Sequence, residues 1–242
     1  MRYSYEESLE SNASSFYKDA KKYRNKIKGA QRAIKEAHKR IKKQKSREER
    51  IVKKEWYEKY HWFISSEGNL CIGGNSATAN EELVKKHTEK DDLLMHTEVP
   101  GSPFTVIKGE GEQTLEEAAD FTACYSKAWR QGLAMIDVFH VKPEQVTKEA
   151  QAGEYLSKGA FMIYGKKHFH EGRMELAIGN YEGKVMAGPE SAVKKHCKKY
   201  VIIIPGQDKT SDVGKEVRKQ TGLDLNEIIK QLPAGGSRVN RS

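Results

Sequence analysis

The chain has 242 residues, of which 37% are apolar and 32% charged, with a formal charge of +9 at pH 7. That length admits one globular domain plus an extended arm, and no apolar run approaches the ~18 residues of a membrane span, so a cytoplasmic protein without a membrane partner is expected. The charge is uneven: residues 1–60 hold 19 Lys/Arg against 9 Asp/Glu, whereas residues 61–242 hold 24 against 25. The cationic part is therefore the N-terminal segment, which suits a polyanion.

In that segment Leu9, Ala13, Phe16, Ala20, Tyr23, Ile27, Ala30, Ile34, Ala37 and Ile41 recur at alternating spacings of 4 and 3. This is the apolar seam of a coiled coil. A continuous helix from about Tyr5 to Trp56 would reach about 75 Å, with Ser46 as a weak point. One helix cannot bury the seam alone, so a second helix is expected to cover it. The lysines on its other faces read equally as phosphate contacts or as a solvated helix face.

Residues 56–64 (WYEKYHWFI) form an aromatic cluster that needs a core. Period-2 patterning then predicts a hairpin of strands 62–65 and 70–72 around Gly68, and further strands at 93–97 and 104–107, with a helix over 76–87 between the two pairs. Thr114 followed by Glu117 reads as a capping box opening a helix that runs to Arg130. Strands are expected at 135–141, 161–164, 175–178, 184–187 and 200–204, and short helices at 190–196, 213–219 and 225–232. Sheet with segregated helices defines an α+β class. The expected division is an arm over 1–55, a globular domain over 56–180, strands and helices completing or extending it over 181–232, and a flexible basic tail over 233–242.

Cys71, Cys124 and Cys197 are odd in number and widely spaced, which argues against a disulfide framework or a zinc site, so no metal and no cofactor are expected. Gly73-Gly74-Asn75 lacks the lysine of a phosphate-binding loop and reads as a turn. Asp92, His96 and His140 could serve a metal-dependent nuclease, but the sequence offers no carboxylate cluster to hold the ion, and the favoured reading is a protein that is not an enzyme. Asn75, Lys85, Lys86, His96, Lys142, Lys148, Lys166 and Lys167 are the candidate contacts to phosphates and base edges, and Tyr164 or Phe169 could stack an exposed base.

Several blocks taken together carry a resemblance. They are Asn12-Ala13; Glu55 through Ser66; Ile72-Gly73-Gly74; Asn80-Glu81; Leu83 through Lys86; Asp92 with His96; Thr114 through Ala118; Cys124-Tyr125-Ser126 with Ala128-Trp129; Gln145-Val146; Gly153 through Leu156; Gly159; and Phe161 through Ile163 before Gly165-Lys166-Lys167. In this order, over roughly residues 8–180, they resemble the NFACT family of ribosome quality-control proteins, in its archaeal type. The resemblance implies that residues 56 to about 180 form the RNA-binding NFACT-R domain and residues 8–55 one helix of a coiled-coil arm. It further implies binding to the large ribosomal subunit and to tRNA or peptidyl-tRNA. Because the family places NFACT-N and helix-hairpin-helix domains ahead of this region, a separately encoded half is expected to supply them and to pair with the arm, unless the arm forms a homodimer. Asn75-Ser76 stands where relatives carry Arg-Asp, and Tyr164 where they carry an arginine before Gly165. Each change removes a guanidinium that grips phosphate bidentately, which moves the expected electrostatics toward the arm. The competing reading is a stand-alone nucleic-acid-binding module acting through the basic arm, with no ribosomal role.

Overall fold

The computed structural model describes residues 6, 8–48, 54–99, 101–149 and 156–240, and of residues 40–48 the backbone alone. The chain divides into two units, Met1–Lys54 and Glu55–Ser242. In the first, Ser8 Oγ accepts from the Ser11 amide at 3.2 Å and so caps helix α1 (Leu9–Glu48). Its 40 residues span about 60 Å and pass through Ser46 without a break. The heptad seam lies open to solvent: Leu9 is 75% exposed, and Tyr23, Ile27 and Ile34 are 55%, 56% and 57% exposed. The Ile41 side chain and the expected continuation of the helix through residues 49–53 lie outside the described residues.

The second unit is built on two antiparallel sheets. One comprises β1 (His61–Ile64), β2 (Leu70–Gly73), β3 (Leu93–Thr97), β4 (Thr105–Lys108), β5 (Met135–Val141) and β8 (His168–Arg173), in the order β1-β2-β4-β3-β5-β8. The other comprises β9 (Leu176–Tyr181), β10 (Lys184–Gly188), β11 (Tyr200–Asp208) and β12 (Ser237–Val239), in the order β10-β9-β11-β12. A two-stranded ribbon of β6 (Val146–Thr147) and β7 (Met162–Ile163) stands apart. The helices are α2 (Ala77–Lys86), α3 (Glu112–Cys124), α4 (Lys127–Gln131), α5 (Glu190–His196), α6 (Thr210–Thr221) and α7 (Leu225–Gln231).

Strand alternation gives the larger sheet two buried faces. Met95 and Val138 point to a core shared with α3 and the second sheet, where Trp62, Phe63, Phe121 and Trp129 are buried. Their neighbours Leu94 and Phe139 point to the opposite core, beneath α2, with Tyr60, Ile72, Leu83 and Phe104. Each such side chain contributes about 1.5–3 kcal/mol on burial. Helix α3 lies so close to β8 that a Cβ at Gly172 would fall 2.6 Å from Ala123 Cβ and 2.7 Å from Ala119 O, so glycine is what lets the helix seat there.

Three expectations need correction. Thr114 does not open its helix, because α3 starts at Glu112 and Thr114 is buried in the first turn. Glu67, from the β1–β2 turn, takes the capping role by accepting from the Thr114 amide at 2.7 Å and its hydroxyl at 2.6 Å. Glu117, expected as the local partner of Thr114, instead accepts from the Ser66 amide at 2.7 Å and the Ser191 hydroxyl at 2.6 Å. The helix also stops at Cys124, and α4 begins anew where Ser126 Oγ accepts from the Ala128 amide at 3.2 Å. Finally, the segment expected to be a flexible tail supplies β12. It is held because the Trp129 indole donates to Gly236 O at 3.1 Å and Ser237 Oγ at 3.2 Å, and the Asn240 amide donates to Ile202 O at 2.9 Å.

Candidate nucleic-acid interface

A cleft of about 540 Å³ opens on the α2 side of the larger sheet. One wall is the start of α2, where Ser76, in extended conformation, accepts from the Ala79 amide at 3.2 Å through Oγ. Its carbonyl takes the Asn80 amide at 2.9 Å. The amides of Ala77 and Thr78, in the first turn, have no intrahelical acceptor, and the dipole at this end favours an anion. The segment 157–161 forms the facing wall. Gly159 has φ +81, and a Cβ there would lie 2.7 Å from Ala77 Cα, so only glycine allows the backbones this approach. The Gly159 amide donates to Glu81 Oε1 at 2.9 Å. Glu81 also pairs with Lys148, and these contacts, the Lys148 hydrogen bond foremost, hold its carboxyl down at about 2.

The floor is aromatic. Phe104 and Phe161 meet edge to face at 5.1 Å, and His96 lies over Phe104 at 4.4 Å. Burial lowers the His96 pKa, while its Nδ1 lies 2.6 Å from Thr97 O. His96 is therefore a neutral ring anchored to its own strand.

The eight candidate contacts divide into two groups. Asn75 donates its side-chain amide to Lys59 O at 2.9 Å, and Lys167 pairs with Glu98 at 2.6 Å while resting over the Phe139 ring at 4.4 Å. With Lys148 on Glu81 and His96 anchored, these four have partners within the fold. The other four are open. Lys85 and Lys86, in the last turn of α2, are 56% and 70% exposed, each facing a glutamate one turn earlier at a loose 4.0 Å. Lys142 and Lys166 are exposed and brought together by Gln145. Gln145 Oε1 accepts from the Lys142 amide at 2.9 Å, and its Nε2 donates to Tyr164 O at 2.8 Å and Lys166 O at 3.0 Å. Tyr164 and Phe169, 43% and 57% exposed, stand in the same region of the chain fold, Phe169 on the α2 face opposite Phe139 in the strand register.

Asp92, His96 and His140 are not assembled. Asp92 is bonded to Lys108 at 2.6 Å and to the Glu89 amide at 2.6 Å. His140 pairs in register with Met95, so it points to the sheet face opposite His96, where its Nδ1 meets His170 Nε2 at 2.7 Å. The structure thus removes the geometric basis for the nuclease reading. Pattern reading missed Gln145, Glu81, Lys158 in the cleft wall, and His61. The polar residue at a helix start, Ser76 after a glycine pair, is the one signal that pointed to the cleft.

Fold and site define an α+β domain that carries a cleft on the α2 side of its larger antiparallel sheet and exposes aromatic rings and lysines. Residues 59–165, which include β1 to β7 and the cleft walls, match the NFACT protein RNA binding domain. The chain is 40% identical over 209 residues to the archaeal Rqc2 homolog aRqcH of Methanocaldococcus jannaschii, covering 81% of this chain and 30% of that protein. It is 38% identical over 161 residues to the ribosome quality control complex subunit NEMF of Homo sapiens, covering 62% of this chain and 15% of the relative. With subunit 2 of the Schizosaccharomyces pombe ribosome quality control complex it shares 35% over 120 residues, 47% of this chain and 12% of that one. Residues 59–165 therefore carry an NFACT-type RNA binding domain, and most of the chain aligns with an archaeal relative. The chain spans less than a third of the length of these curated relatives. Among solved structures, the C-terminal part of the fibronectin/fibrinogen-binding protein from Streptococcus suis aligns with a TM-score of 0.42 at 19% identity, over 61% of this chain and 51% of that one.

Proposed function

We propose that this chain is an RNA- and ribosome-binding component of ribosome-associated quality control, acting on large subunits that retain peptidyl-tRNA and performing no covalent chemistry of its own. The observation that carries the reading is that the matched RNA-binding region supplies the cleft walls together with Lys142, Gln145 and Tyr164, and that Gln145 ties Lys166, the first lysine beyond it, to the same group. Free ammonium groups next to exposed rings are the combination that grips a phosphate backbone and stacks unpaired bases. In this reading Lys85, Lys86, Lys142 and Lys166 make the phosphate contacts, and Tyr164 and Phe169 the stacking ones. Lys148, Lys167, Asn75 and His96 hold the surface in shape.

The open seam of α1 supports a partner helix that pairs with it as a coiled coil. Gradient co-sedimentation of the full chain with large ribosomal subunits, with and without peptidyl-tRNA, tests the function. Co-migration at physiological salt that favours subunits with peptidyl-tRNA is the expected result. Salt-labile binding to every RNA species would leave only a basic arm attached to polyanions.

A further inference from the structure

We infer that the cleft is a pocket for a single unstacked nucleotide whose base carries the 6-amino group of adenine or the 4-amino group of cytosine, its phosphate at the first turn of α2 and that amino group donating to His61 Nε2. The inference deepens the RNA-binding reading and rests on it for the source of the nucleotide.

His61 is only 8% exposed, yet it lines the cleft. Its ring lies flat on Tyr125, centroids 3.9 Å apart. Gln231 fixes the tautomer. Because Gln231 Nε2 donates to Tyr60 O at 3.1 Å, the oxygen of that amide is the atom facing His61 Nδ1 at 3.0 Å, and Nδ1 must carry the proton. Nε2 is then a bare acceptor. Among the described residues it has no hydrogen-bond partner, and since the Tyr60 hydroxyl is the one side-chain polar atom there both unpaired and sealed from solvent, Nε2 reaches solvent through the cleft. Burial drives the ring's pKa down to about 4, so at neutral pH it accepts and does not donate there.

The anion end is close by. His61 pairs in register with Gly73, and four residues later α2 begins at Ala77, at most about 14 Å along the chain. A mononucleotide bridges that scale. The Ala77 amide, in the cleft wall, faces the incoming phosphate, and the exposed Lys158 in the same wall adds a positive charge. Phe104 and Phe161 offer the apolar surface a base needs. The 6-amino group of adenine and the 4-amino group of cytosine satisfy Nε2, whereas O6 of guanine and O4 of uracil, which occupy those same positions, set lone pair against lone pair.

The test is NMR of the ¹⁵N-labelled full chain titrated with AMP, CMP, UMP and GMP to 10 mM. AMP and CMP are expected to move the His61 Nε2 resonance and the Ala77 and Thr78 amides, with dissociation constants about tenfold below those of UMP and GMP. His61→Phe keeps a ring on Tyr125 and removes the acceptor, and it is expected to bring the four nucleotides level. Equal responses to all four by the unsubstituted chain, or shifts confined to exposed lysines, would overturn the pocket without any variant having to fold. Ribosome co-sedimentation of the same protein separates the two claims. Subunit binding without base discrimination removes the pocket and leaves the proposed function, and discrimination without subunit binding does the reverse.

Discussion

Two neighbouring lysines should behave oppositely. Lys166 is exposed and only its carbonyl is engaged, by Gln145 at 3.0 Å, whereas the Lys167 ammonium is held by Glu98 at 2.6 Å and by the Phe139 ring at 4.4 Å. If Lys166 contacts one phosphate of a single-stranded RNA, Lys166→Ala lowers the slope of log K against log salt by about 0.7. Over the fourfold span from 50 to 200 mM salt, the affinity ratio of parent to variant then shrinks by about 2.5-fold. Lys167→Ala should leave that slope unchanged. Its cost appears in stability instead, because a partly exposed ion pair is worth ~0.2–1 kcal/mol and a surface cation–π contact ~0.5–1 kcal/mol. About 1 kcal/mol in a domain of this size lowers Tm by ~2–4 °C. Fluorescence anisotropy of a labelled RNA 12-mer at five salt concentrations reads the slope, and tryptophan fluorescence reads stability, since Trp56, Trp62 and Trp129 all lie in the second unit. Glu98→Gln supplies the control by releasing Lys167, and should steepen the slope. A reduced slope in Lys167→Ala with unchanged Tm would refute the assignment, since it would mean that the Glu98 pair gives way to RNA.

Glu117→Ala leaves two donors, the Ser66 amide and the Ser191 hydroxyl, without their acceptor in a site 1% exposed, and is expected to cost about 3 kcal/mol in urea melts, with strong coupling to Ser191→Ala in a double-mutant cycle. Acid should weaken the fold: with its pKa lowered from 6.5 to about 4, native His61 binds fewer protons than the unfolded chain, so its stabilisation is whole above pH 6.5 and falls as pH drops toward 4, by about 2 kcal/mol at pH 5. Asp120, pushed up by burial to about 6, acts with the opposite sign, so Asp120→Asn should be more stable at pH 7 and lose more between pH 7 and 5. Ile27→Glu with Ile34→Glu puts charge into the exposed seam of α1 and is expected to abolish any concentration-dependent helicity of the arm in circular dichroism, while a parent that shows no such dependence and captures no partner helix would remove the coiled-coil proposal.

Local periodicity made most elements legible, because their pattern and their burial agree. The strand over Met135–Val141 and the helix over Glu190–His196 follow the sequence pattern to the residue. Where pattern and tertiary contact compete, contact wins. Thr114 and Glu117 have the spacing of a capping box, yet each side chain is recruited by a partner far along the chain, Glu67 and the Ser66–Ser191 pair. β8 has the sequence HFHEGR, whose polar residues hide a strand that lies at the edge of the sheet and needs few apolar contacts. The terminal PAGGS stretch looks like a linker by composition, but the Trp129 indole needs an acceptor, and Gly236 and Ser237 supply it.

The binding surface was less legible, because sequence shows which residues carry charge and not which charges are spent. Eight candidates rested on type and order, and geometry leaves four of them exposed and at most loosely paired. Lys148 and Lys167 are neutralised by Glu81 and Glu98, carboxylates 67 and 69 positions away. His61 is the inverse case. In sequence it is one polar residue among aromatics and reads as core. Its significance depends on the Gln231 amide, 170 positions away, which consumes one ring nitrogen and by doing so commits the other to accept. A recognition atom created by a hydrogen bond elsewhere leaves no local pattern, so it is visible only once the amide orientation and the open edge of the ring are known together.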